Sequence, residues 1–321
     1  MAIHVSNWRK DLIDIGNANI TSSRLKDEWI SKNKDFIWSV LPLIDRVPEN
    51  DTNYRIYGTS FLLKNQEHCF MVTAAHCIMK LSTGSFNQFV LGFQHETYME
   101  QRLIFTAKED RWDELCNTWI VDKINDIAIL PIELDDKIFE ITSTKLVDFN
   151  SVCKIIVSNQ TTQSMVLGYG HGKSGSSKNI DFDVDSIPGV PPDFLTYVKE
   201  KGHPVWTPWA MSTTITSIDK SSFEISVRGV VIDGFSGGPL IVYHEEKLCI
   251  MGVIKSAVVT VDSKTKKQVS AHKGKVVDFS LILQLISDNE SSFNPFKLRF
   301  NDLHHVDIAY SAVDEFRFVP H

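Results

Sequence analysis

From Tyr54 onward the chain is a succession of short apolar, β-branched runs separated by turn residues: IYGTSFLL, CFMVTAA, FVLGF, RLIFTA, DIAILPI, KIIVS, SMVLGYG, TTITSI, FEISVRG, GPLIVY, CIMGVIKSAVV and KVVDF. Residues of these types at this density suit a pleated, half-buried backbone, and few stretches carry the period of a helix. Many short strands arranged to avoid open edges imply barrels or sandwiches, so the expected class is all-β. One run breaks the rhythm: SLILQLIS near residue 280 reads as a closing helix.

The remaining segments frame this strand-rich body. Between Ser23 and Phe36, Leu25, Trp29, Ile30 and Phe36 recur at near-helical intervals, with Asp27 and Glu28 where a helix start favours acid, so residues 1–35 read as a helical extension. The run from Phe36 to Ile44, broken by Pro42, suits an edge or opening strand. Residues 168–208 are rich in glycine and proline around Val190, Phe194, Leu195, Tyr197 and Val198, too long a stretch for an inert turn. Residues 291–321 carry Phe293, Phe296, Leu298, Phe300, Phe316 and Phe318, too many apolar groups for a disordered end, and are expected to pack.

Composition excludes some partners. A formal net charge of -7 with no basic block argues against nucleic acid, because phosphate binding needs a positive field. No run approaches the length of a bilayer span, and the first residues lack the apolar core of a secretory signal, so the expectation is a cytoplasmic protein with no membrane partner. Cys69, Cys77, Cys116, Cys153 and Cys249 are odd in number and scattered, which reads as free thiols in a reducing compartment. No cofactor or metal is expected: a phosphate loop around Gly168 to Ser174 fails because Leu167 stands where a glycine is required, and His304 and His305 have no third ligand at metal-site spacing.

Three segments carry chemistry together: Thr73-Ala-Ala-His76-Cys77, Asn125-Asp126-Ile-Ala-Ile-Leu130 and Gly234-Phe-Ser236-Gly-Gly-Pro-Leu240. Acyl transfer near neutral pH needs a serine hydroxyl activated by a neighbouring base, and histidine is the side chain suited to that role. A buried carboxylate on the second ring nitrogen fixes the tautomer. Asp126 opens an apolar strand that would bury it, and the glycines flanking Ser236 permit strained backbone and close substrate approach. The backbone N–H groups of Gly234 and Ser236 are the candidate oxyanion donors.

In the chain order His, Asp, Ser, the segments TAAHC, DIAIL and GFSGGPL resemble the three signatures of the trypsin and chymotrypsin superfamily. GTSFLL, VLGYG and GVIKSA resemble further strands of that family, so the resemblance spans roughly residues 36–290. It implies two packed antiparallel Greek-key barrels, residues 36–146 with His76 and Asp126 and residues 147–290 with Ser236, flanked by the helical extension, the insertion around 168–208, the C-terminal helix and the 291–321 tail. The implied activity is serine endopeptidase, acting on a protein or peptide substrate through His76, Asp126 and Ser236. A catalytically silent or partner-activated binding module and an esterase with the same triad are the alternatives, and the extension or the tail would be where a regulatory protein binds.

Departures from the family narrow the expectation. Phe235 replaces the acid that secreted members pair with a freed N-terminus, so the resemblance is closer to bacterial or intracellular peptidases that lack that switch. Cys77 stands at a family disulfide position without a partner there. Val230 would be the pocket floor and Lys255, Ser256 and Ala257 the strand backing bound substrate, which implies a neutral or hydrophobic side chain before the scissile bond in preference to a basic one.

Overall fold

The computed structural model describes residues 35–36, 38–46, 54–94, 101–152, 162–169, 209–229, 231, 234–244, 247–261, 268–310 and 316–320. The expected helix before residue 35, the strand KIIVS, Val230 and the insertion beyond Tyr169 lie outside them.

The first unit is built from β1 (Val40–Arg46), β2 (Tyr54–Lys64), β3 (Cys69–Ala74), β4 (Val90–Gln94), β5 (Gln101–Thr106), β6 (Ile120–Asp122), β7 (Ile127–Leu134) and β8 (Val147–Asp148). Two helices interrupt it, α1 (Glu109–Thr118) and α2 (Asp136–Ile141). The second unit contains β9 (Thr162–Gly168), β10 (Trp209–Asp219), β11 (Glu224–Gly229), β12 (Pro239–His244), β13 (Lys247–Val261) and β14 (Gln268–Asp278), followed by α3 (Phe279–Asn289). The tail adds β15 (Phe296–Leu298), β16 (Leu303–Tyr310) and β17 (Phe316–Pro320).

The second unit is a closed barrel in the order β10-β11-β14-β13-β12-β9. Hairpin neighbours supply most of its pairings. The connection from β11 to β12 instead joins strands that are not adjacent, and it carries Ser236 across the end of the barrel. Phe235 is fully buried among Val166, Val231, Leu240 and Ile254. Gly168 has to be glycine, because a Cβ there would lie 2.7 Å from the Phe235 ring. An apolar plug thus occupies the position where an ion pair was noted as absent.

The first unit departs from the expected closed barrel. It is an eleven-stranded sheet in the order β15-β7-β3-β2-β1-β4-β5-β16-β17, with β6 on β7 and β8 on β2. The two strands that would close it, β5 and β7, take partners from the tail: β16 pairs antiparallel with β5, and β15 pairs parallel with β7 through Phe296–Ile132 and Leu298–Leu134. Residues of the 291–321 tail thus supply strands to this sheet. Pro131, which has no N–H to offer, falls on β7 between the segment paired with β6 and the segment paired with β15, opposite Phe70 of β3. Pro42 likewise sits on β1 beyond the two residues that pair with β4, although β1 is flanked by β2 and β4 and is not an edge strand.

Helix α1 was not anticipated. Its apolar stripe is short: Leu115 is buried, Trp112 lies 6.2 Å from Phe89 by ring centroid, and Trp119 just past its end lies 6.0 Å from the same ring. Glu109 and Asp110 occupy its first turn, where they offset the exposed N–H groups. The expected closing helix is present as α3, capped by the Asp278 carboxylate accepting from Ser280 N at 2.8 Å. Its buried Phe279, Leu281, Ile282 and Ile286 join Phe61, Phe70, Met165, Ile241 and Val253 in one apolar cluster between the two units. Cys69, Cys77, Cys116 and Cys249 carry no disulfide.

The tail is locked at Arg111. Its guanidinium donates to Asp302 Oδ2 at 2.6 Å and to the Lys297 carbonyl at 2.5 Å, and lies 4.3 Å from the centroid of the Phe296 ring. Phe296 is 1% exposed and 5.8 Å from the ring of Phe105 on β5, so it fills the seam that barrel closure would otherwise occupy. Phe296→Ala is expected to cost about 3–5 kcal/mol of unfolding free energy, as large aromatic deletions from well-packed cores do. Urea denaturation measures it, and a loss well under 1 kcal/mol would show the tail to be a passive covering.

Candidate active site

His76 and Asp126 are brought together by strand register. β3 and β7 pair antiparallel with Ala74 opposite Ile127, so the residues just beyond this last pair face each other. Ala75 N donates to the Asp126 carbonyl at 3.1 Å, and the chain then enters a 3-10 turn, Ala75–Cys77, that carries His76. The Asp126 carboxylate accepts twice from His76: from the backbone N–H at 2.8 Å through Oδ1, and from ring Nδ1 at 2.7 Å through Oδ2. That arrangement leaves Nε2 directed away from the carboxylate.

The approach to Asp126 is held by a second acid. Asp122 accepts from the N–H groups of Ile124 and Asn125 and from Asn125 Nδ2, closing a tight turn. Asp126 leaves that turn with φ 62, a left-handed conformation that aspartate tolerates better than most side chains. Its carboxylate is only 6% exposed, whereas the imidazole keeps 39% of its surface open. A buried carboxylate thus supports an imidazole that stays open to solvent.

The pKa of His76 is raised from 6.5 to about 10. Burial is the largest single influence and acts downward, but it is outweighed by the hydrogen bond to Asp126, the hydrogen bond and charge of Cys77, and the charge of Asp126. The carboxylate of Asp126 thus favours the protonated ring more than water does around a free histidine.

Ser236 lies at the junction of both units. Its carbonyl accepts from Thr59 N on β2 at 2.8 Å and from the thiol of Cys77, the neighbour of His76, at 3.5 Å. The surrounding turn is fixed on the barrel side as well, with Gly237 N donating to Ile254 O at 2.7 Å and Gly238 N to Phe235 O at 2.9 Å. Gly234 and Gly237 have φ 93 and 89, and a Cβ on Gly237 would collide with the Thr59 carbonyl and the Thr73 hydroxyl. Among the described residues, the N–H groups of Gly234 and Ser236 make no hydrogen bond.

The Ser236 hydroxyl donates to the carbonyl of Lys255 at 3.4 Å, and no hydrogen bond joins it to His76 among the described residues. Lys255 occupies a bulge in β13, between Ile254 and Ser256, and with Ser256 and Ala257 it forms a half-buried ledge beside the turn that bears Ser236. Among the described residues no group of three or more His, Cys, Asp or Glu is placed to hold a metal ion.

Three participants had not been singled out in the sequence. Thr59 and Thr73 are fully buried and bonded to each other, Thr73 Oγ1 donating to Thr59 O at 2.7 Å, and Tyr57 donates its hydroxyl to the Cys77 carbonyl at 2.5 Å. Polar residues inside otherwise apolar strands, in GTSFLL and MVTAA, were the available signal.

No protein-family model matches the chain, and no curated protein matches it. Among solved structures, the chain is similar to the Rv3671c protease from M. tuberculosis in its active form, at 15% identity and TM-score 0.41 over 81% of this chain and 84% of that one. Similarity to the inactive form of the same protease has 14% identity and TM-score 0.40, over 81% and 91%. Human heparin binding protein is similar at 14% identity and TM-score 0.46, over 82% of this chain and 95% of that one. Likenesses this distant carry no chemistry, which rests on the geometry above.

Because the folded pKa of His76 exceeds its ordinary value, the associated stability is fully present below pH 6.5 and is lost as pH rises toward about 10. Asp126→Asn removes the carboxylate charge and is expected to move the imidazole pKa downward and to flatten that pH dependence. Side-chain NMR titration of His76 in both proteins measures it; an unchanged midpoint would mean the carboxylate is not what holds the proton.

Proposed function

We propose that the chain is a serine endopeptidase that hydrolyses peptide bonds through an acyl-enzyme on Ser236. The observation that carries this reading is the His76–Asp126 hydrogen bond at 2.7 Å beside a nucleophile turn stitched to the same segment through Cys77 and Thr59. Ser236 Oγ attacks the carbonyl carbon of the scissile peptide while His76 Nε2 takes its proton. Asp126 keeps the proton on Nδ1 and stabilises the imidazolium that forms. The unengaged N–H groups of Gly234 and Ser236 receive the negative oxygen, each such donor being worth about 3 kcal/mol of barrier. His76 then protonates the departing amine, and water, deprotonated by the same imidazole, hydrolyses the ester to free Ser236.

The substrate is a protein or peptide, and Val230 in the sequence favours a neutral or hydrophobic residue before the scissile bond. Lys255, Ser256 and Ala257 are the ledge along which its backbone would lie.

A second reading, a module that acts only after a partner or substrate rearranges the site, is favoured by one observation: the Ser236 hydroxyl is bonded to Lys255 O and not to His76. In that case the bound peptide backbone competes for the Lys255 carbonyl and releases the hydroxyl.

A fluorophosphonate probe is expected to label the protein at Ser236, with labelling abolished in Ser236→Ala and strongly reduced in His76→Ala. Absence of labelling on the folded protein, with and without added peptide, would sink both readings. The labelling rate should climb as pH rises above neutrality, because the base acts only when deprotonated and its pKa is raised to about 10. A rate that falls over the same range would remove His76 as the base. Cleavage profiling on a peptide library checks the pocket: preference for Arg or Lys before the cut would reverse that assignment.

A further inference from the structure

Four separate hydrogen bonds converge on one residue of β2. The Thr59 hydroxyl donates to the Gly234 carbonyl at 2.6 Å and accepts from Tyr169 N at 3.0 Å. Its backbone N–H donates to the Ser236 carbonyl at 2.8 Å, and its own carbonyl accepts from Thr73 Oγ1 at 2.7 Å. Thr59 is fully buried, so each of these groups depends on the others for its partner.

The geometry points to Thr59 as the positioning residue of the oxyanion-binding turn: from the first unit it holds the carbonyls of Gly234 and Ser236, and so fixes the turn that presents the Gly234 and Ser236 N–H groups. This rests on the endopeptidase reading above. Two of the carbonyls in the five-residue turn from Gly234 to Gly238 are anchored across the seam by Thr59, and the carbonyl between them, on Phe235, is held within the turn by Gly238 N. The peptide plane bearing Ser236 N–H carries the Phe235 carbonyl, which Gly238 N holds, and Thr59 ties the planes on either side of it, so that N–H cannot turn without disturbing a bond on one of the three. Gly234, at φ 93, has no side chain to resist rotation, and the Thr59 hydroxyl supplies that restraint from outside. Tyr169 N–H takes one of the hydroxyl's lone pairs, which orients the hydroxyl proton toward Gly234.

Thr59→Val keeps the shape and removes both hydroxyl bonds, whereas Thr59→Ser keeps the hydroxyl. In the full chain, Thr59→Val is expected to lower kcat about tenfold with KM within about twofold, because the lost contact acts on the transition state. Thr59→Ser should restore most of it. Hydrogen exchange across residues 234–238, which needs no activity, should quicken in Thr59→Val and return in Thr59→Ser. An unchanged kcat in Thr59→Val, or a serine variant no better than valine, overturns the proposal. Should the wild-type protein neither hydrolyse nor label, the endopeptidase reading falls, and exchange at 234–238 still decides whether Thr59 holds the turn. If Thr59→Val does not fold, Thr59→Cys, a weaker donor at the same atom, must give a kcat between serine and background; wild-type kcat there overturns it as well.

Discussion

A buried polar seam between two apolar units is the constraint on which the arrangement depends. Burial of Phe61, Phe279, Ile282, Met165 and Val253 drives the units together, but apolar contact is tolerant of sliding. The seam is not. Thr59 on one side and Tyr169, Gly234 and Ser236 on the other exchange hydrogen bonds across it, and a shift of about an ångström would strand several buried donors and acceptors at about 1–3 kcal/mol each. The apolar cluster therefore sets how strongly the units dock, and the seam sets where. Because His76 and Asp126 belong to one unit and Ser236 to the other, that register also sets where the three residues stand relative to one another.

Much of this was legible in the sequence because it is written locally. Short apolar, β-branched runs between turn residues marked the described strands from IYGTSFLL to KVVDF, and SLILQLIS marked α3 by breaking that rhythm. His76, Asp126 and Ser236 stood out through their neighbours, small residues before the histidine and glycines around the serine. The closed second barrel and the open first sheet carry no such local difference. Which strand pairs with which is settled by segments far apart in the chain: β7 takes Phe296–Leu298, and β5 takes Leu303–Asp307. A three-residue strand such as β15 has too few positions to show a period at all. Helix α1 was hidden for a related reason, its stripe resting on Trp112 and Leu115 alone.

Phe235 illustrates how a residue read by what it lacks is explained by what it fills. The sequence shows only that the position before the nucleophile is not acidic. In the barrel, the ring is a plug at the crossing from β11 to β12, seated against a glycine at 168 that has no room for a side chain. The turn bearing Ser236 is thereby anchored by packing below and by Thr59 from the side. Neither anchor requires cleavage of the chain elsewhere. The order of the turn follows from burial already present in the fold.

Strand β7 ties the remaining pieces together. One end follows Asp126, whose left-handed backbone and double acceptance from His76 set the base; the other end pairs with the tail through Phe296–Leu298. Between them, every residue of β7 but Glu133 is buried, and β3 pairs with it from Ile127 to Ile132. A strand so enclosed transmits position and little else, since its backbone has no slack to take up. The tail segment held by Arg111 and the acid at Asp126 thus meet opposite ends of one strand. Residues 296–298 extend the sheet along the far end of the strand that follows Asp126, and burial of Phe296 and Leu298 there gives the apolar residues of that segment a physical reason.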